Sequence, residues 1–353
     1  MPSKTRRNLI AIAASVVLVA VFAWVLARGG FSFVPPKAAL ARLELPGLVL
    51  FIVSLLGHFL LRYARCYYLI APLAKVPFRR IMTSNAIGMA FITFLPLRLG
   101  EMARPAMLRE KGSLSAWAVT GTVGAERILD GIVYSVLVLL GLALAEPQSP
   151  LPDHVGDLPV PVWVVPRSAG IASIGFVMAF AVMCAFFFFR SAARALTERL
   201  VGVVSPRLAT RVADIIERFS DGMRFLTDLR HSVPYLITTL VSVFGLCAGI
   251  EVLAHAAGMP ELTFTQSMVV LGVLALGFTA PNAPGFFGVV QLALYAGLAT
   301  YISPEKIANQ GAVVVFVYYM AYLVVTSGLA AIALAVEFLS KEEPLPRRSA
   351  DTV

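Results

Sequence analysis

The chain has 353 residues, 59% of them hydrophobic and only 14% charged, with a formal net charge of +9. A soluble domain carries about 25% charged residues to cover its surface. Together with a mean hydropathy of +0.83, this composition excludes an ordinary soluble protein and calls for an outside that faces lipid. Lys and Arg fall in clusters beside apolar runs, the pattern of cytoplasmic loops and anionic-lipid contact. That accounts for the positive charge better than nucleic-acid binding does.

A spanning helix needs about 20 mostly apolar residues, because backbone polar groups in lipid must be satisfied internally. The first such run is 8–27, behind Lys4, Arg6 and Arg7. It is long for a signal sequence and no cleavage pattern follows, so it reads as a retained anchor with a cytoplasmic N-terminus. The second run, 45–61, is followed by Arg62, Arg65, Lys75, Arg79 and Arg80, which place its end in the cytoplasm. Residues 81–97 are apolar but contain Pro96. A small-residue-rich stretch, 113–125, leads into Glu126, Arg127 and Asp130, and 128–145 reads as a further span. The loop 146–166 carries Glu146, Asp153 and Asp157 and reads as extracytoplasmic. Residues 168–189 span back.

From 190 to 231 arginines alternate with apolar residues at helical spacing. This predicts either amphipathic helices on the inner leaflet or a cytoplasmic hairpin packed on the bundle. The run 233–256 spans outward. Two shorter runs, 265–281 and 285–301, are broken at Pro281–Gly285, and 311–338 is the last span. The tail 341–353 reads as disordered and cytoplasmic.

A full crossing by 81–97 would put Arg98, Arg104, Arg109 and Lys111 outside, against the positive-inside trend. The parity is repaired if 81–97 and 113–125 form a hairpin dipping in from the cytoplasm. The pair 265–281 and 285–301 then dips in from the other side. The expected fold is an all-α polytopic membrane protein with about six full spans plus two broken helical hairpins. It forms one domain over 1–340, with halves of about 1–145 and 167–340. Opposed halves would be an inverted repeat of the transporter kind; ten ordinary helices without a repeat is the alternative. Three cysteines, Cys66, Cys184 and Cys247, are too scattered for a metal site or a disulfide framework.

Charge in lipid costs at least about 2.5 kcal/mol per residue at the bilayer centre, so charged residues there pair, cluster or face water. One cluster is Arg98, Glu101 and Arg104, with Gly100 at the bend. The other is Glu126, Arg127 and Asp130. The two neutralise one another, and surplus guanidinium suits a phosphate, which Arg grips bidentately. A purely structural ion-pair network is the bland alternative. Asn282 and Gln291 flank the second break and are candidates for lining a lipid path. Tyr318, Tyr319 and Tyr322 read as packing or cavity-lining residues. His58, Glu251 and His255 read as interfacial. No phosphate loop, zinc spacing or dinucleotide turn is present, so no catalytic residue, metal ligand or cofactor is assigned and the chain is not expected to be an enzyme; an intramembrane transferase working with few Arg, Asp and Glu residues is the alternative.

Three segments carry a family resemblance: LPLRLGEMARP at 95–105, GAERILD at 124–130 and PNAPGFFGVVQ at 281–291. They resemble the Arg-x-Gly-Glu, Glu-Arg-x-x-Asp and Pro-Gly-x-x-Gly motifs of the lysylphosphatidylglycerol synthase transmembrane-region family, also called flippase-like. The third motif usually ends in Glu; here Gln291 stands instead. The resemblance implies a lipid translocase of a bacterial cytoplasmic membrane, acting on an anionic or phosphate-bearing lipid. Its substrate-binding residues would include Arg98, Gly100, Glu101, Arg104, Glu126, Arg127, Asp130, Asn282, Pro284, Gly285, Gly288 and Gln291. The family's soluble aminoacyltransferase domain is not expected, since 339–353 fall far short of the ~50 residues of a small domain. The alternative reading is a membrane partner of a lipid-modifying or glycosyl-transferring enzyme, docked through 190–231.

Overall fold

The structure is a computed structural model. It describes residues 34–95, 100–109, 114–153, 161–189, 221–279 and 283–340, with single residues and short stretches between 17 and 28 and between 199 and 220. The anchor 8–27, the basic segment 190–231 and the tail therefore lie largely or wholly outside the described residues. All regular structure among the described residues is helical.

In chain order the main helices are α1 (Leu45–Ala64), α2 (Cys66–Ile70), α3 (Phe78–Phe94), α4 (Ala103–Arg109), α5 (Ala116–Leu144), α6 (Val164–Phe188), α7 (Leu229–Ala256), α8 (Phe264–Gly277), α9 (Val289–Ala299) and α10 (Ala312–Leu339). Five described stretches are long and apolar enough to cross a bilayer: Leu45–Ile70, Ala116–Leu144, Val164–Ala185, Leu229–Ala256 and Pro304–Leu339. Phe264–Gly277 and Pro284–Ala299 are shorter apolar helices, as expected for the second hairpin.

The ends follow local chemistry. Ser115 Oγ accepts the Trp117 N–H at 3.3 Å to start α5. Thr263 and Gln266 form a reciprocal capping box at α8. Leu95 is extended, with ψ 138°, and ends α3; the residue before a proline is driven out of helical space, and Pro96 follows.

One expectation is corrected. The return arm of the first hairpin is α4, not 113–125, and 116–144 is one unbroken helix. Glu126, Arg127 and Asp130 looked like a segment end because charge normally interrupts an apolar run. Partners on α1 and α4 neutralise most of that charge, so the helix passes through it.

Small residues set the helix contacts, as they do where helices meet in lipid. α1 and α7 run antiparallel. A Cβ on Gly47 would sit 2.5 Å from Ala256 Cβ, and one on Gly249 would sit 2.4 Å from Ser54 Oγ. Further along, His58 Nδ1 meets the Ser242 carbonyl at 3.0 Å. α5 and α8 are equally close: a Cβ on Gly272 would lie 2.1 Å from Val138 Cγ2, and one on Gly141 2.7 Å from Val269 Cγ2. α3 lies against α10, with Thr93 Oγ1 2.9 Å from the Tyr322 hydroxyl and Thr83 bonded to Glu337 at 2.5 Å. The pairings fall into matched sets: α3 with α10 and α8 with α5, α4 with α5 and α9 with α10, α1 with α3 and α7 with α8, around a central α1–α7 pair.

Candidate functional site

Arg62 and Arg65 stand one turn apart at the end of α1, and Glu126 and Asp130 one turn apart on α5. Each spacing puts both side chains on one helix face. The faces meet. Arg65 Nη2 lies 2.7 Å from Asp130 Oδ2 and 3.2 Å from Glu126 Oε1, and its Nη1 donates to Thr239 Oγ1 at 2.8 Å. Its guanidinium also stacks 5.0 Å from the centre of the Tyr235 ring, a cation–π contact. Arg62 Nη2 reaches Asp130 Oδ2 at 3.2 Å. Arg104, delivered by α4, pairs with Glu126 Oε2 through Nη2 and meets Cys66 Sγ through Nη1 at 3.2 Å. Arg65, Arg104, Glu126 and Asp130 are all buried.

Arg127 differs. It faces away from the buried knot and is 30% exposed, with its Nε 3.6 Å from Glu101 Oε1, which is also 30% exposed. That is ion-pair range but beyond a hydrogen bond, and Arg127 Nε has no hydrogen-bond partner. Four guanidiniums (Arg62, Arg65, Arg104, Arg127) face three carboxylates (Glu101, Glu126, Asp130), so the described cluster carries one surplus positive charge.

The exposed edge of this cluster forms one end of a cavity of about 340 Å³. Arg62, Glu101, Arg127 and Asp130 supply the charged end. The rest is aliphatic and aromatic, from Phe59, Leu271, Phe278, Phe286, Tyr318 and Tyr322 among others. Both chain breaks reach it, the first through Glu101 and the second through Phe278, Thr279 and Phe286. A second space of about 30 Å³ adjoins it between Asn85, Gly100, Arg104 and Glu126.

The glycines at the breaks have separate reasons. A Cβ on Gly100 would lie 2.1 Å from Ile92 N, so the first break packs backbone against backbone. Gly285 and Gly288 take φ of +74° and +83°, the left-handed region that favours glycine. Pro284 opens the short 3₁₀ turn, Pro284–Phe286, that contains Gly285.

Of the sequence candidates, Glu101, Arg127 and Asp130 are brought together on the main cavity wall. Gly100, Arg104 and Glu126 border the smaller space. Gln291 is not on the main wall: its Oε1 accepts the Gly288 N–H at 2.7 Å and caps α9. Arg98 and Asn282 lie outside the described residues. His58 is buried on the cavity wall. Tyr318 and Tyr322 line the cavity, and Tyr319 is buried beside Gly285.

Arg62 and Arg65 were not among the candidates, because their position after an apolar run reads as a loop boundary. His58, Arg62 and Arg65 recur at helical spacing on one stripe, and that was the available signal.

The family model described as the lysylphosphatidylglycerol synthase transmembrane region matches residues 10–335. The chain belongs to that family. No curated protein and no solved structure matches it. As a member of the lysylphosphatidylglycerol synthase transmembrane-region family it is a multi-pass membrane protein related to lipid metabolism or transport. The match runs through both chain breaks and all the cavity residues named above, so the cavity is built from family sequence throughout.

Proposed function

We propose that the protein is a lipid translocase for an anionic or phosphate-bearing lipid, not an enzyme, and that it works in a bacterial cytoplasmic membrane. One observation carries this reading: a single cavity has a charged end, backed by an ionic cluster with one surplus guanidinium, and an otherwise apolar wall. A lipid headgroup and the start of its chains have the same division. Arg127 is the residue for the headgroup phosphate, with Arg62 beside it. Arg65, Arg104 and Glu126 are committed to one another and hold the cluster in place. The two halves act as an inverted repeat, a reading supported by the matched helix pairings and by a break from each half reaching the cavity. Breaks in two helices that meet at one cavity suit alternating access.

The test is reconstitution into phosphatidylethanolamine and phosphatidylglycerol vesicles containing fluorescent phosphatidylglycerol. Chemical bleaching of the outer leaflet then reads exchange between leaflets. The wild-type protein speeds exchange. Arg127→Ala loses a charge-assisted contact of about 1.5–3 kcal/mol, so exchange falls roughly ten- to hundredfold at limiting lipid. Arg127→Lys, and Arg98→Lys at the neighbouring motif, keep part of the rate because an ammonium lacks the bidentate fork. Unchanged exchange in Arg127→Ala contradicts the headgroup assignment.

A further inference from the structure

α5 and α8 are clamped along part of their length, and beyond it both face the cavity. At Gly141 and at Gly272 their backbones come too close for a side chain on the glycine. About one turn past Gly272 and the Tyr134 it faces, Ala275 on α8 and Gly131 on α5 both line the cavity. A third helix covers this place. Phe176 of α6 also lines the cavity, and its ring is seated on Gly131: a Cβ there would lie 2.2 Å from Phe176 Cε1. Phe176 is only half-buried. The other side of α6 is open, and Ile174 is 65% exposed. α6 packs mainly on α5 and only lightly on α8.

Chemistry explains why such a covering would have to open. A lipid coming from the bilayer reaches the charged end of the cavity, at Arg62, Glu101, Arg127 and Asp130, only across the wall of the protein. Its acyl chains are apolar and are stabilised in the bilayer or against apolar side chains rather than in water, so the route must be a gap between helices.

We propose that Phe176 on Gly131 is the latch of a lateral gate, and that lipid chains pass between α6 and α8 while the headgroup occupies the charged end. This rests on the cavity being a lipid site. It adds where the lipid enters and which residue holds that route shut. Gly131 follows Asp130 directly, so the latch sits one residue from the ionic cluster. A ring resting on a glycine can swing out without breaking any hydrogen bond, and α6 has few contacts with α8 to resist its movement.

The gate is tested without transport. Tyr134, one turn from Gly131 and on the cavity wall, is replaced by Tyr134→Trp. The protein is placed in vesicles of phosphatidylcholine carrying a chain-attached doxyl quencher, and emission is compared with the parent lacking that substitution. Phe176→Ala removes the latch. Gly131→Ala pushes the ring out of its seat by a route that leaves Phe176 intact. Both changes, added to Tyr134→Trp, raise its quenching toward that of a tryptophan at the lipid-facing Ile174 position, whereas Ile174→Ala leaves it at the parent level. Equal quenching in the parent, Phe176→Ala and Gly131→Ala proteins overturns the gate, as does an equal rise with Ile174→Ala. The lipid here is neutral and the readout is chain entry. A protein that fails to exchange lipid yet shows the quenching change therefore overturns the translocase reading and leaves the gate standing.

Discussion

Replacing Arg65 with alanine is the sharpest test of the buried network. One guanidinium group holds three elements together: Nη2 bridges Asp130 and Glu126 on α5, Nη1 bonds Thr239 on α7, and its own residue joins α1 to α2. It is 2% exposed, and its carboxylate partners have side chains 3% and 8% exposed, so solvent screens these contacts little. Removing one partner of a buried ion pair costs about 3–5 kcal/mol, because the other charge is left uncompensated. Here Glu126 keeps Arg104 and Asp130 keeps Arg62, which brings the expected loss to about 2–3 kcal/mol. The assay is reversible unfolding in mixed detergent micelles, with Asp130→Asn and the double variant completing a cycle. The two changes couple by about 1–3 kcal/mol, as expected for groups in direct contact. Additive effects, or an Arg65→Ala protein as stable as the parent, refute the network as a structural element.

Three other outcomes follow from the geometry. Gly272→Leu forces side-chain volume into the 2.1 Å approach to Val138 and destabilises by about 1–3 kcal/mol or more, read in the same unfolding assay. Gln291→Ala removes the acceptor of the Gly288 N–H and costs about 1 kcal/mol, the worth of a helix cap; an unchanged midpoint rejects the cap. Asp228, outside the spanning segment, caps α7, and its hydrogen bonds from the Arg230 N–H and from His231 hold its carboxyl below the ordinary aspartate range. Its folded value is lower than its unfolded one, so its contribution is whole above about pH 4 and fades as pH falls through the lowered value. Asp228→Asn keeps a capping oxygen and removes that part of the acid sensitivity, which a stability profile between neutral and acid pH detects.

Helices whose boundaries were marked by turn chemistry were legible in the sequence. The second hairpin, expected at 265–281 and 285–301, is found at Phe264–Gly277 and Val289–Ala299, because Thr263, the prolines and the glycines punctuate it. The first hairpin was misdrawn for a reason outside the local sequence. Glu126 and Asp130 are matched by Arg62 and Arg65, some 60 residues earlier, and hydropathy along a chain cannot see a partner on another helix. The same blindness hid the partner of Arg104, which is paired with Glu126. Arg127 and Glu101 were placed correctly at the cavity, since charge inside an apolar segment implies a wet or polar surface. On α10 the tyrosines Tyr318 and Tyr322 marked the wall, but the part from α8 carries no residue-level signal, because lipid-facing and cavity-facing leucines look alike in composition.

A lipid headgroup at the charged end of the cavity must lie within reach of Arg127. The most direct measurement is photo-crosslinking with phosphatidylglycerol carrying a short-reach photoreactive group on its headgroup, followed by mass-spectrometric mapping of the labelled peptides. Labelling is expected within 55–62 and 127–134, competed by unlabelled phosphatidylglycerol and lost in Arg127→Ala. Labelling confined to the lipid-facing outer surface, or unchanged within the cavity in Arg127→Ala, contradicts it.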